Sequence, residues 1–289
     1  MLSGRVREGL ALFELGLGEL PAGRTIGPEV TGWYPEVARA VARSELLLYA
    51  GRVREGLSER ARAEHLALER DDRIFVAIIY FTSFLIPEFV GSPAPVLAHA
   101  RRALEISEPI GYAFGVNLAW VGIGIGHSLV GEWQEARSAL ERGLELMRAQ
   151  RAGLFFESRA LTHLARAELR LGEVERARAT IEAAVHAGQE RHTRLWEIQA
   201  HLERARILRE IDESGGIDEA SLSLDAAKRL IEETGAESLR PQVHEERGRL
   251  AHLHGNTATR DRELAEAHRL YVAIGADGHA ARLAKELAG

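Results

Sequence analysis

The heptapeptide GRVREGL stands at residues 4–10 and again at residues 51–57. Weaker copies of the phrase, each a glycine followed by a helix-patterned run, begin at Gly91, Gly131, Gly172, Gly215 and Gly255, at steps of about 40 residues. The copies agree by position as well as by composition. Five, nine and twelve residues after Gly172 come Ala177, Ile181 and Ala184; after Gly131 come Ala136, Leu140 and Gly143; after Gly215 come Ala220, Leu224 and Ala227. These offsets fall on one helical face, and small residues at the first and third let a second helix approach closely. Another helical run precedes each glycine, over residues 36–50, 73–90, 112–130, 157–171, 195–211 and 243–254. Seven residues before the glycine stand the small residues Ser44, Gly124, Ala165 and Gly248, whereas Phe84 and Leu208 depart from the rule. The unit is a helix, a glycine-marked turn and a second helix.

One such hairpin cannot bury its apolar face alone, but stacked hairpins share a continuous core. The periodicity therefore predicts an all-α solenoid. With 46% hydrophobic and 28% charged residues the chain has enough apolar material for that core and enough charge to solvate its outside. The small residue, turn glycine and Ala–apolar–Ala spacing resemble tetratricopeptide (TPR) repeats, most closely over residues 161–184. The resemblance implies a right-handed superhelix of antiparallel hairpins, here with longer helices than the usual ~34-residue unit. The expected organisation is a partial first repeat plus loop in residues 1–30, about six hairpins over 31–272 and a capping helix in 273–289. Gly4 falls in mid-hairpin, so the chain is expected either to be a piece of something longer or to pack residues 1–30 irregularly; residues 20–28 (LPAGRTIGP) read as a loop. The end of the chain, AEAHRLYVAIGADGHAARLAKELAG, resembles the TPR tail of bacterial multidomain adenylate-cyclase or ATPase signalling proteins.

Chemistry is sparse. The net charge of -6 argues against a general nucleic-acid binder, and the absence of cysteine excludes disulfides and thiolate catalysis and fits the cytoplasm. The two lysines, Lys228 and Lys285, do not follow a glycine-rich loop, so no phosphate-binding loop is present. GIGIGHS at 122–128 lacks nucleotide-loop spacing and reads as a closely packed helix. VHEERG at 243–248 resembles a zinc-protease helix but carries Gly248 in place of the second histidine. His252 and His254 lie about 200° apart on a helix and suit its C-terminus better than one metal. The acidic run at 210–216 reads as a solvated turn. Most carboxylates sit three or four residues from an arginine, as Glu173 does from Arg176, with Glu132 and Arg137 one residue wider; these read as solvent-facing pairs. Trp33, Trp120, Trp133 and Trp196 read as packing anchors. No catalytic residue, cofactor or metal is expected. The uncharged windows 74–87 and 109–131 read as buried helices rather than membrane spans.

In TPR-like solenoids the first helix of each hairpin lines the concave face. Counting back 13, 10 and 6 residues from each turn glycine predicts that lining. Before Gly91 and Gly131 it is apolar, with Ile78, Phe81 and Leu85 (Phe89 nearby), then Leu118, Val121 and Ile125. Before Gly172 it becomes Arg159, Thr162 and Arg166, with Arg170 one turn on. Before Gly215 it is Leu202, Ala205 and Arg209, and before Gly255 it is Gln242, Glu245 and Arg249. The expected partner is a protein or peptide with an apolar segment followed by an acidic group, since the arginine fork suits carboxylates and phosphates. A fused signalling domain, a small ligand sensed in the same groove, and homodimerisation through the apolar patch remain alternatives. Arg166→Glu is expected to weaken binding with little effect on thermal unfolding.

Overall fold

The structure is a computed structural model that describes residues 4–15, 34–92, 95–211 and 216–288. The expected loop at 20–28, Pro93, Trp33 and Gly215 lie outside the described residues. Among the described residues a short helix α1 (Val6–Glu14) precedes six hairpins. They pair α2 (Pro35–Tyr49) with α3 (Val53–Glu69); α4 (Arg73–Phe81) and α5 (Leu85–Val90), joined by a 3-10 turn at Thr82–Phe84, with α6 (Val96–Ser107); and α7 (Ala113–Leu129) with α8 (Trp133–Gln150). The others pair α9 (Glu157–Arg170) with α10 (Val174–Glu190), α11 (Arg194–Ile211) with α12 (Gly216–Thr234), and α13 (Arg240–Leu253) with α14 (Thr257–Ile274). A final helix, α15 (Asp277–Ala288), packs on α14. No strand occurs among the described residues.

The glycine phrase has a direct backbone cause. Gly51, Gly91, Gly131, Gly172 and Gly255 all have φ between +69 and +81, a left-handed conformation that ends one helix and that only glycine adopts without strain. The small-residue rule is equally physical. A Cβ added at Gly124 would lie 2.5 Å from Leu140 Cγ and 3.0 Å from the Ala136 carbonyl oxygen; one at Gly248 would lie 2.8 Å from Leu264 Cδ2. The position seven before the turn thus packs into the face marked by offsets 5 and 9. In the GIGIGHS run the glycines work in the same way, Gly122 against Ala100, Gly124 against Leu140 and Gly126 against Leu97. That run is a packing surface on two sides of α7, Gly122 and Gly126 against α6 and Gly124 against α8.

Successive first helices touch in order, α4 to α7 to α9 to α11 to α13. The stack coils tightly enough to meet itself. Residues 237–239 rest on α2 and α15 rests on α5. Ser238 Oγ donates to the Tyr49 carbonyl oxygen at 3.0 Å, Arg7 donates to the Glu232 carbonyl oxygen at 3.0 Å, and Arg54 approaches Asp277 at 3.4 Å.

Packing between neighbouring hairpins decides the fate of the expected apolar groove: Val121 meets Gly143, Leu118 lies near Gly153, and Phe81 meets Phe114 and Phe156. Phe81, Leu85, Phe89, Leu118 and Val121 are each no more than 2% exposed and belong to the main core. Among the described residues these side chains are core and do not form the exposed apolar groove floor expected from the sequence. Tyr49 meets Phe89 edge-on with centroids 5.0 Å apart, and Phe81 meets Phe114 at 5.7 Å. The segment Arg73–Val90 is the one described helical stretch long and apolar enough to cross a membrane, and over half of its length is buried in this core.

Candidate functional site

Within the coil lies a partly open cavity of about 450 Å³, reached by side chains from α5, α7, α8, α9, α11, α13, α14 and α15. One end is apolar, formed by Phe84, Pro87, Ile125, Leu129 and Trp133. The rest is charged, with Arg159, Arg166, Arg170, Arg206, Arg209, Arg249 and Arg282 facing Glu88, Glu203, Glu210 and Glu245.

All four arginines expected from the sequence line this cavity, as do Thr162, Leu202, Gln242, Glu245 and Arg249. Of the six apolar positions only Ile125 does. The register before Gly91 fails because the 3-10 turn at Thr82–Phe84 advances the chain by 3.0 rather than 3.6 residues per turn. Phe84, Pro87 and Glu88 therefore reach the cavity while Phe81 and Leu85 rotate into the core. Before Gly215 the count slips because α11 ends at Ile211, so Gly215 does not hold the place of Gly172. A constant step of 40 from Arg159, Arg166 and Arg170 leads instead to Gln199, Arg206 and Glu210, all in the lining, while Ala205 is buried. Arg206 could have been found by that step. Glu88, His279 and Arg282 carry no local signal. Trp196 is a packing anchor as expected, 2% exposed, whereas the half-buried Trp133 stands at the cavity.

The arginines are not bare. The Arg159 guanidinium binds Glu88 at 2.7 Å and Gln199 Oε1, and is sandwiched between the rings of Phe84 and Trp196 at 5.0 and 5.5 Å. Arg166 makes a two-pronged contact with Glu203, its Nε donating at 2.7 Å. Arg206 bridges Glu203 and Glu246, at 3.4 and 2.9 Å. Arg209 and Arg249 also reach Glu246, at 3.2 and 3.1 Å, and Arg170 pairs with Glu210 at 3.1 Å. Glu245 accepts from Arg249, from Arg282 at 2.8 Å and from the Tyr271 hydroxyl at 3.0 Å. Burial alone would raise the carboxyl pKa of Glu203, yet Arg166 and Arg206 hold it below the ordinary value; Arg249 and Arg282 do the same for Glu245. Both therefore stand ionised near neutral pH.

These contacts revise the reading of the charges. Many pairs join successive repeats rather than neighbours on one helix. Arg137 binds Glu173 on the next hairpin at 2.6 Å, and Glu132 binds His127 instead. Glu173 and Arg176 do pair, at 2.9 Å. In VHEERG, Glu245 and Glu246 belong to the cavity network, and no group of three potential metal ligands occurs among the described residues. His163, with Nε2 buried and unbonded in the cavity wall, is held well below the ordinary histidine pKa by burial and by Arg159 and Arg166.

No protein-family model matches the sequence, and no curated protein matches it. Among solved structures the chain is similar to the crystal structure of the apo form of RapI, with a TM-score of 0.56 over 97% of this chain and 93% of that chain, at 13% identity. At that identity the likeness shows the fold alone. The chain is an all-α helical-repeat protein over nearly its whole length.

Proposed function

We propose that the chain is a non-catalytic scaffold that binds a protein or peptide segment in its inner channel. The carrying observation is the division of that channel into an apolar end, where Leu129 and Trp133 are accessible beside the buried Phe84 and Ile125, and an arginine-rich wall. An extended segment with apolar residues followed by acidic ones matches both. Leu129 is 53% exposed at the apolar end, a side chain held out to solvent where a partner would cover it. The resemblance of the last 25 residues to signalling-protein tails supports a regulatory role, with the solenoid acting on an attached or associated output domain in the cytoplasm.

A second reading, a small-molecule sensor, is favoured by the cavity volume, since sites for small ligands typically measure ~300–1,000 Å³. Panning a displayed random-peptide library on the purified chain separates the two. Enrichment of apolar-then-acidic peptides, lost in Leu129→Asp, supports the scaffold. No enrichment, or enrichment unaffected by Leu129→Asp, defeats it; a small molecule retained in native mass spectrometry then favours the sensor.

A further inference from the structure

The ion pairs of the channel do not balance. Five of the wall's arginines, Arg166, Arg206, Arg209, Arg249 and Arg282, share three glutamates, Glu203, Glu245 and Glu246. Arg159 pairs with Glu88 and Arg170 with Glu210, which Arg209 also approaches at 3.7 Å. Neither Glu246 nor Glu286 lines the cavity; Glu246 is buried against the wall and is counted with it, whereas Glu286 is exposed to solvent, 3.7 Å from Arg282, and is not. The described wall thus carries two more positive charges than negative ones. A half-enclosed site of low dielectric strengthens the attraction of such a surplus for an anion.

Donors remain to be used. Nε of Arg159 is buried without a hydrogen-bond partner, in a residue only 5% exposed. Arg166 spends Nε and Nη2 on Glu203, and its Nη1 has no partner among the described residues. The surplus is also spread out. Arg166 sits on α9 at one end of the shared network and Arg282 on α15 at the other. Two separate anionic groups answer that distribution better than one compact phosphate.

Building on the channel reading above, we infer that the arginine wall is a recognition subsite for a ligand bearing two carboxylates. A peptide whose last residue is Glu presents such a pair, its α-carboxylate and its side chain; a free dicarboxylic acid presents the same chemistry without the apolar part.

Sharing supplies a clean test. In Arg166→Gln, Glu203 keeps Arg206; in Arg282→Gln, Glu245 keeps Arg249 and the Tyr271 hydroxyl. The double variant therefore erases the surplus without orphaning a buried carboxylate; only the solvent-exposed Glu286 loses a 3.7 Å contact. Thermal unfolding of the full chain is followed with glutarate, with N-acetyl-Leu-Leu-Glu, with inorganic phosphate, and with sodium chloride at matched ionic strength. The expected result is a saturable rise in Tm with both carboxylate ligands and not with chloride. Binding should weaken at least about tenfold in the double variant, which loses two charge-assisted contacts, and stay unchanged in Arg102→Gln, whose exposed pair with Glu105 lies outside the cavity. Tighter binding of the peptide than of glutarate points to a peptide source, and equal binding to a free acid. Absence of saturation, an effect equal in the double variant and in Arg102→Gln, or preference for phosphate overturns the inference. A peptide library that enriches while glutarate and the Glu-ended peptide fail would leave the channel reading standing and remove only the two-carboxylate subsite.

Discussion

Nε2 of His279 donates to the backbone carbonyl oxygen of Glu88 at 2.8 Å, across 191 residues of chain. This bond ties the capping helix α15 to α5, and the same Glu88 turns its carboxylate inward to Arg159. The closure of the coil and the charge network of the channel therefore meet in one residue.

Removal of that tie should loosen the seam before it unfolds the protein. His279→Ala is expected to cost ~1–2 kcal/mol, the worth of a partly buried hydrogen bond and the ring's stacking on Tyr271. Amide hydrogen exchange should rise first in α5 and α15. Uniform acceleration across all hairpins would show that the seam is not a separate unit.

Glycine substitutions should separate backbone strain from steric closure. Gly172 has φ +81 and open space where a Cβ would stand, so Gly172→Ala should cost only the left-handed penalty, ~1 kcal/mol. Gly91 has φ +73, and an added Cβ would stand 2.4 Å from the His279 backbone nitrogen. Gly91→Ala should be worse by ~1–3 kcal/mol, a core-overpacking cost. Equal losses in chemical denaturation would contradict the seam.

At Arg166 the structure reverses the expectation drawn from the sequence. Glu203 is buried and shared between Arg166 and Arg206. Arg166→Glu sets a second carboxylate against it and should lower stability by ~2–4 kcal/mol, whereas Arg166→Gln should cost under ~1 kcal/mol because Arg206 still compensates Glu203. Urea unfolding of both variants checks this; a harmless Arg166→Glu would deny the pairing.

The buried Glu45 and the half-buried His201 should oppose each other in pH dependence. Burial raises the Glu45 pKa to about 7, with Arg60 pulling it down. Its contribution to stability is present below its unfolded pKa, near 4.5, and is lost as pH rises through about 7. Burial lowers His201 to about 4, with Arg204 and Arg229 acting in the same direction. Its contribution is present above the unfolded value of 6.5 and is lost as pH falls through about 4. Glu45→Gln should therefore gain on the wild type, by ~2–3 kcal/mol, between pH 5 and pH 8. His201→Asn should flatten the acid limb instead. A pH-independent difference between Glu45→Gln and wild type would place Glu45 in a solvated site.

The repeat, the turn glycines and the hairpin interfaces were legible in the chain because each depends on residues within about 40 positions. Ala136, Leu140 and Gly143 identify the face that meets Gly124, and left-handed turns call for glycine at Gly131 and Gly172 wherever the array later bends. The four arginines of the wall were legible for the same reason, since helix periodicity places them on one face. What covers the inner side of each first helix was not. That depends on how neighbouring hairpins pack, and on the small rotation between hairpins summed along the whole stack, which brings α15 onto α5 and residues 237–239 onto α2. Phe81, Leu118 and Val121 were buried by neighbouring hairpins, at Phe114, Gly153 and Gly143, and Glu203, Glu245 and Glu246 took arginines from their own or the adjacent repeat; the closed coil itself brought His279 to Glu88 at the edge of the channel. Local pattern thus determined which faces are apolar or charged, and only the packing of hairpin on hairpin decided which of them became core and which became a site.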